Sequence, residues 1–389
     1  MPACIAVTGP AATATVQHLE VTGATVAKSS LPGFPTTIPS VLKITDAAKV
    51  RIENSWFHDF QNPVIDNSGN GELRIFDTLI ENCFEAIHVT SSYADIERVH
   101  IRHLHGYSDF IDFDFDSTPH SIVRDCLMED NIDGGGDGID TSETNCLIEN
   151  VIVKDVWTDK GLSLEGKSTP IIRNVLVVNC HSGLVSKDSC TAEFHNVTVV
   201  GSAIAVRCYQ KNAGKGGGHG TAENLILWGN QKNFEIDSLS SFETNYSDVQ
   251  GGAPGAGNID LDPMFVDPNP AGGDFHLRAG SPAIGSGKAG TDMGCFPYTG
   301  PRPVRFIRGD ANGDGALDIS DPLLVLLYKF AGVASDCLAA LDSDDSDTVE
   351  MTDAIIALGY LFRSGAPPAP PFPTAGEDPT AGSLDCQRH

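Results

Sequence analysis

Basic residues are scarce in this chain: 25 Lys and Arg stand against 52 Asp and Glu over 389 residues, a formal net charge of −27. That excludes a plain nucleic-acid binder, which needs a basic surface to meet phosphates. Long apolar runs are missing too; none approaches the roughly 18 residues of a membrane-spanning helix, and no membrane span is expected. The opening MPACIAVTGPAATATV lacks the basic start of a signal peptide, so any export signal is expected upstream of it. At this length one round core is disfavoured, so several domains or a repeat that grows in one dimension is expected. With 40 Gly, 23 Pro and 41% hydrophobic residues, strands and turns are favoured and a helical bundle is not.

What the chain does have is an internal repeat, Ile/Val-x-Asn/Asp. Its copies are Ile52-Glu53-Asn54, Ile75-Phe76-Asp77, Val123-Arg124-Asp125, Ile148-Glu149-Asn150, Ile172-Arg173-Asn174 and Phe194-His195-Asn196, with Ile96-Glu97-Arg98 and Ala222-Glu223-Asn224 as degenerate members. The anchors at 52, 75, 96, 123, 148, 172, 194 and 222 are loosely spaced, a pattern that tolerates loop insertions. Each copy alternates apolar and polar residues for a short stretch, then meets Gly or Asn and a second short strand, which is one coil of a parallel β-solenoid. The Asn or Asp after each anchor is read as structural, bonding to its copies in the coils above and below. Of the ten cysteines, Cys4, Cys83, Cys126, Cys146, Cys180, Cys190 and Cys208 lie in strand-like text and are read as reduced packing residues. Cys337 and Cys386 bracket the C-terminal segment and could close its ends in an oxidising compartment.

Over residues 40 to 250 this text resembles the right-handed parallel β-helix family, which includes pectate lyases, polygalacturonases and alginate-active enzymes. The stretches Asp262-Pro263-Met264-Phe265-Val266-Asp267-Pro268, Gly273-Asp274-Phe275-His276-Leu277 and Gly280-Ser281-Pro282-Ala283-Ile284 resemble the segment that closes bacterial members, and are read as a cap hiding the last coil's open edge. The expected fold is mainly β, a right-handed parallel β-helix followed by a small α-helical calcium-loop domain. Its expected parts are an N-terminal cap or first coil (1–40), the helix (41–250), its C-terminal cap (251–298), a Pro-rich linker (299–306) and the last domain (307–389).

That last domain carries the most specific motif. Asp310, Asn312, Asp314, Asp318 and Asp321 fall at positions 1, 3, 5, 9 and 12 of a loop, with Gly315 at position 6 and the Ala316 carbonyl at position 7. Calcium needs six to eight hard oxygens around a tight turn, and this spacing lets one short loop wrap the ion. A second loop repeats the pattern with Asp342, Asp344, Ser346, Thr348, Glu350 and Asp353, but has Ser346 at position 5 and Asp347 in place of the turn glycine, so it should bind more weakly. Apolar runs from Pro322 to Tyr328 and from Ala354 to Tyr360 follow the loops and read as helices. The pair resembles a type I dockerin. The resemblance implies Ca²⁺ as cofactor, a cohesin-like protein partner met by Ile319-Ser320 and Met351-Thr352, and an extracellular or cell-surface location, where calcium is millimolar.

In the solenoid, outward positions of successive coils form columns. With coils aligned on Ile65, Ile87, Ile111, Ile139, Leu162, Leu184 and Ile204, one column reads Asp66, His88, Asp112, Asp140, Ser163, Val185, Ala205 and the next Ser68, Thr90, Asp114, Ser142, Glu165, Lys187, Arg207. Carboxylates this close repel unless a cation joins them, and calcium is the natural one. Resemblance to calcium-dependent polysaccharide lyases implies Asp112, Asp140 and Glu165 as metal ligands, Lys187 as the base and Arg207 as stabiliser of the substrate carboxylate or enolate. His88 and Asp114 are then substrate-binding groups, with Asp109 and Asp137 on the rim. The expected activity is β-elimination on a uronate-containing polysaccharide. Two alternatives stay open. Asp112 and Asp140, with the extra Asp137, are the candidates for acid and base of a glycoside hydrolase arranged as in the polygalacturonases. The stretch Asp159-Lys160-Gly161-Leu162-Ser163-Leu164-Glu165 also resembles β-helix regions of spore-coat-kinase-like surface proteins, which implies a non-catalytic binding or spacer module. Trp56, Trp157 and Trp228 are sparse, and turn packing is favoured for two of them over stacking on sugars.

Overall fold

The structure is a computed structural model describing residues 5–22, 40–106, 108–115, 120–131, 135–300, 304–380, 383, 384 and 386. Cys4 and the Pro301, Arg302 and Pro303 part of the expected linker lie outside the described residues. The chain divides into two compact units, Met1–Thr299 and Gly300–His389.

The first unit is a parallel β-solenoid of about nine turns. Three columns of apolar side chains, one per sheet, fill its interior. Sheet A stacks Leu42, Ile65, Ile87, Ile111, Ile139, Leu162, Leu184 and Val206 in direct register. Sheet B stacks the repeat anchors themselves, Ile52, Ile75, Ile96, Val123, Ile148, Ile172, Phe194 and Ala222, all buried. Sheet C stacks Phe57, Ile80, Ile101, Met128, Val153, Val177, Val199 and Leu227.

The residue two after each sheet B anchor turns the chain toward sheet C in the left-handed region: Asn54, Asp77, Arg98, Asp125, Asn150, Asn174, Asn196 and Asn224 all have φ between 47° and 60°. That conformation explains the preference for Asn and Asp, whose short polar side chains tolerate it. The side chains also stack, Asn150 Nδ2 donating to Asp125 Oδ1 at 2.9 Å and Asn174 Nδ2 to Asn150 Oδ1 at 3.0 Å.

Within the segment expected as the cap, the first part bonds to the last coil: Val249 N–H donates to the Ile259 carbonyl at 2.9 Å, and Ala253 packs against the solenoid core. A hairpin follows, Phe265–Asp267 with Asp274–Leu277. Phe265, Phe275, Leu277, Ala283, Met293 and Cys295 pack on Leu176, Val178, Val200 and Ile226, along the outer flank of sheet C. Those strands are apolar on both faces because both are covered.

In the second unit, helices α1 (Ser320–Ala331), α2 (Leu338–Leu341) and α3 (Met351–Arg363) surround two small clusters, one of Ala311, Val325, Leu341, Val349 and Ala354, the other of Phe306, Cys337, Ala339 and Ala340. Helix α1 ends on Gly332 at φ 69°, and Glu350 and Asp353 form a capping box at the start of α3. Cys337 and Cys386 are joined by a disulfide. Among the described residues no helix is long and apolar enough to cross a membrane.

Candidate functional site

The outer face of sheet A gathers the acidic columns. Register pairs His88 with Asp112, Asp112 with Asp140 and Asp140 with Ser163, and in the next column Asp114 with Ser142, Ser142 with Glu165 and Glu165 with Lys187. At the start of the sheet A strands, Gly138 and Gly161 let successive coils touch: a Cβ on Gly138 would stand 2.4 Å from the Gly161 carbonyl oxygen, and one on Gly161 2.9 Å from that of Gly183. This close approach brings Asp137 and Lys160, which precede the glycines, up to the same face. Lys160 Nζ sits 3.0 Å from Asp137 Oδ1 and also bonds Asp159.

Three of these carboxylates converge. Oxygens of Asp109, Asp112 and Asp140 lie within 4.8 Å of one another, and a second group of Glu85, His88 and Asp112 meets the same limit. Burial pushes the Asp109 carboxyl up to about 8, with Asp137 and Asp140 adding to it, and pushes Asp112 up to about 7 with help from Asp114. Burial also raises Asp140, Asp137 and Glu85. His88 Nε2, 3.3 Å from Asp114 Oδ2 and 3.7 Å from Asp112 Oδ2, is raised to about 9, chiefly by its hydrogen bond to Asp114.

Lys187 departs from the role of base. It is 2% exposed, and its Nζ lies 3.1 Å from Glu165 Oε2, 3.5 Å from Asp140 Oδ1 and 2.8 Å from the Ser163 hydroxyl. Burial acts to strip its proton, but Asp140, Glu165 and Asp137 outweigh it and raise the pKa. An ammonium so held neither reaches a substrate nor accepts a proton at neutral pH. Glu165, expected as a metal ligand, is instead bound to cations: it takes Lys187, Lys211 Nζ at 2.8 Å and Asn212 Nδ2 at 3.2 Å. Burial would raise its carboxyl, but Lys211 and Lys187 hold it low.

Arg207 moves as well. Leu184 pairs with Val206 rather than Ile204, so Arg207 stands beside Val185 in the first column, and Tyr209 takes the place next to Lys187. Its guanidinium forms an ion pair with Glu235 at 2.8 Å and lies over the Tyr209 ring. A slip of two residues keeps the side chain outward but moves it along the strand. The sequence reading gave no role to Glu85, Lys160 or Lys211, although Lys160 stood in the quoted Asp159–Glu165 stretch. Beside Glu165 a cleft of about 220 Å³ is lined by Ser142, Glu165, Asp188, Asn212, Lys167 and Lys215 among others, and neither of these two lysines forms an ion pair among the described residues.

The shifts fix a sign for stability. Asp109 and Asp112 keep protons in the folded state that the unfolded chain, with ordinary values of 3.8, releases, so metal-free stability falls as pH rises from about 4 to about 8. His88, ordinarily 6.5, loses its stabilising charge as pH rises through about 9, in the same direction. In chelator, Asp112→Asn is expected to flatten the fall in urea midpoint above about pH 5 and to add ~1–3 kcal/mol near pH 8. A variant whose pH profile overlays the wild type would show that Asp112 is not the strained group.

In the second unit both loops share one internal pattern. The position 1 carboxylates accept from backbone N–H groups, Asp310 from Gly313 (3.0 Å) and Gly315 (2.9 Å), Asp342 from Ser346 (3.0 Å) and Asp347 (2.8 Å). The position 12 carboxylates do the same, Asp321 for Asp318 at 2.7 Å and Asp353 for Glu350 at 2.7 Å. Asp347 adopts φ 64° where loop 1 has Gly315 at 89°, and its carboxylate receives the N–H groups of Ser383 and Leu384. Oxygens of Asp342, Asp344 and Asp353 lie within 4.8 Å of one another. Under the second loop, Arg308, 1% exposed, donates to the Asp342 carbonyl at 2.9 Å and pairs with Asp345 and Asp378, each at 2.9 Å. This buried cation was not foreseen from sequence.

Residues 40–224 match the family described as the right-handed beta helix region. No protein of curated function matches the chain. Among solved structures it is similar to the crystal structure of pectate lyase Pel9A, with 13% identity, a TM-score of 0.40, and 75% of this chain and 89% of that one covered. The solenoid of the first unit is thus a right-handed parallel β-helix.

Proposed function

We propose that the sheet A face binds an acidic, uronate-containing polysaccharide through calcium held by Asp109, Asp112 and Asp140. The observation that carries this reading is the convergence of oxygens from Asp109, Asp112 and Asp140 within 4.8 Å, on carboxyls whose pKa values are raised first by burial and then by neighbouring carboxylates, with Lys187 Nζ 3.5 Å from Asp140 Oδ1. An all-oxygen donor set of this kind fits a hard divalent cation. Bound there, the ion would neutralise the cluster and bridge it to a substrate carboxylate. The chain's own groups do the rest: Lys187 offsets the charge of Asp140 and Glu165 from behind, Glu165 holds Lys211 at the surface, and Lys167 and Lys215 offer cations to further uronate units.

Elimination also needs a group that takes a proton, and Lys187 is a buried ammonium, so the face supports binding more directly than cleavage. Hydrolysis is the second reading, favoured by Asp112, whose carboxyl near 7 can exchange a proton at neutral pH beside Asp140. Native gels cast with pectate or alginate should retard the protein in calcium and release it in EDTA, with Asp112→Asn or Asp140→Asn weakening retention about tenfold or more. Calcium-independent retention, or none, refutes the bridge. A rise in absorbance near 235 nm would restore elimination with a base other than Lys187, while new reducing ends without that absorbance would favour hydrolysis.

For the second unit the proposal is calcium-dependent attachment to a cohesin-like partner, outside the cell where calcium is plentiful. The paired loop geometry supports it. So do the exposed apolar residues that α1 and α3 leave uncovered, among them Leu323, Phe330, Ile355 and Phe362.

A further inference from the structure

A second arrangement with the makings of a ligand site lies on a different sheet. Trp56 opens a sheet C strand, is 37% exposed, and is fixed at two points. Its indole stacks on the His58 imidazole, ring centres 4.0 Å apart and 24° from parallel, and its Nε1 donates to Glu81 Oε1 at 2.8 Å. Both supports are themselves held: Glu81 Oε2 by Arg102 Nε at 2.6 Å, and His58 between Asp59 Oδ2 at 2.7 Å and Glu20 Oε1 at 3.2 Å. An exposed tryptophan anchored in this way has lost its rotamer freedom before any ligand arrives, which removes one usual cost of binding. Trp56, His58, Asp59, Glu81, Asn82 and His103 line an open cavity of about 410 Å³.

We infer that Trp56 and the polar groups around it form a binding subsite for neutral sugar rings, separate from the sheet A face and independent of calcium. The shape argues for a saccharide. An aromatic face carries partial negative charge and attracts the weakly positive C–H face of a pyranose. Carboxylate and amide groups beside it, here Asp59, Glu81 and Asn82, accept and donate hydrogen bonds to ring hydroxyls. The charge argues for a neutral one: Glu20, Asp59, Glu81 and, bonded to His103 at 2.8 Å, Asp130 surround the cavity and repel a polyanion. This inference does not rest on the calcium-bridged reading of sheet A.

The test is affinity electrophoresis of the whole chain in gels containing galactomannan or mixed-linkage β-glucan, with EDTA present throughout. Wild type should be retarded in at least one gel, and Trp56→Ala should weaken retention by about ten- to a hundredfold, as removal of a central aromatic anchor does. Trp56→Phe, which keeps a ring but loses the bond to Glu81, should fall between the two, and this variant decides the matter if the alanine variant fails to fold. Lys232→Ala, at an exposed ion pair outside this cavity, should bind as wild type. No retardation of wild type in either neutral gel, or equal retardation of both Trp56 variants and wild type, overturns the inference. Neither result bears on retention by uronates in calcium.

Discussion

Excess EDTA is expected to abolish most of the helical circular dichroism of the full chain while its β signal stays. The helical signal comes from α1 and α3, helices of 12 and 13 residues. Helices this short are marginal in water without tertiary support. Their support is two small clusters and the loops, and in loop 2 the carboxylates of Asp342, Asp344 and Asp353 converge within 4.8 Å. Without a cation they repel; with one, the binding free energy becomes folding free energy for the unit. The solenoid has its own three-column core and should keep its transition. Loop 1 should be the tighter site, because it keeps Asp314 and Gly315 while the second loop stands over the Arg308 guanidinium. Calorimetry should therefore show Asp310→Ala removing the stronger binding step and Asp342→Ala the weaker. A helical signal indifferent to chelator would mean that the disulfide and the two clusters hold the unit alone.

Lys187→Ala should destabilise the solenoid by ~3–5 kcal/mol, the usual consequence of stripping one partner from a buried ion pair. Asp140 and Glu165 would be left facing each other, with Lys211 alone on Glu165. Lys211→Ala, which removes a half-exposed partner of the same carboxylate, should change stability by about 1 kcal/mol or less. Lys187 is raised above its ordinary 10.5, so its contribution is complete below that pH and lost only in strong alkali, which separates it from the Asp109 and Asp112 effects. Urea unfolding at neutral pH measures the difference. A Lys187→Ala protein as stable as wild type would show that the ammonium is not a structural counter-charge and would return it to consideration as a base.

The solenoid was legible because its anchors repeat. All eight fall in one column of sheet B, and the Asn or Asp after them marks the turn. The register of sheet A was readable as far as Leu184 and failed at the next coil for a definite reason. Ile204 and Val206 are both apolar and two residues apart, and alternation of period two cannot tell them apart. Depth was not legible at all. Lys187 sits in an outward column, and nothing local says that its ammonium would be enclosed by Ser163, Asp140 and Glu165. The covered flank of sheet C left a signal of its own: Val175-Leu176-Val177-Val178 and Val197-Thr198-Val199-Val200 lack the alternation of a strand with one wet face. In the two acidic loops the spacing of oxygen side chains was legible, but Asp347 was visible only as a missing glycine. Its bonds to Ser383 and Leu384 depend on a tail far along the chain.

The left-handed residue that ends each repeat, Asn or Asp in every copy but that of Arg98, also makes the coil a unit of inheritance. Every turn closes on its own residue, so a whole coil can be copied or lost without disturbing the angle at which the others join. Such a change alters the spacing of side chains along the face while leaving the core columns continuous. Removing the coil between Ile148 and Ile172, for example, would take out Leu162, Ser163 and Glu165 and bring the coil of Asp140 directly against that of Lys187. A fold of this kind can therefore explore new surface chemistries by changing its length as well as its residues.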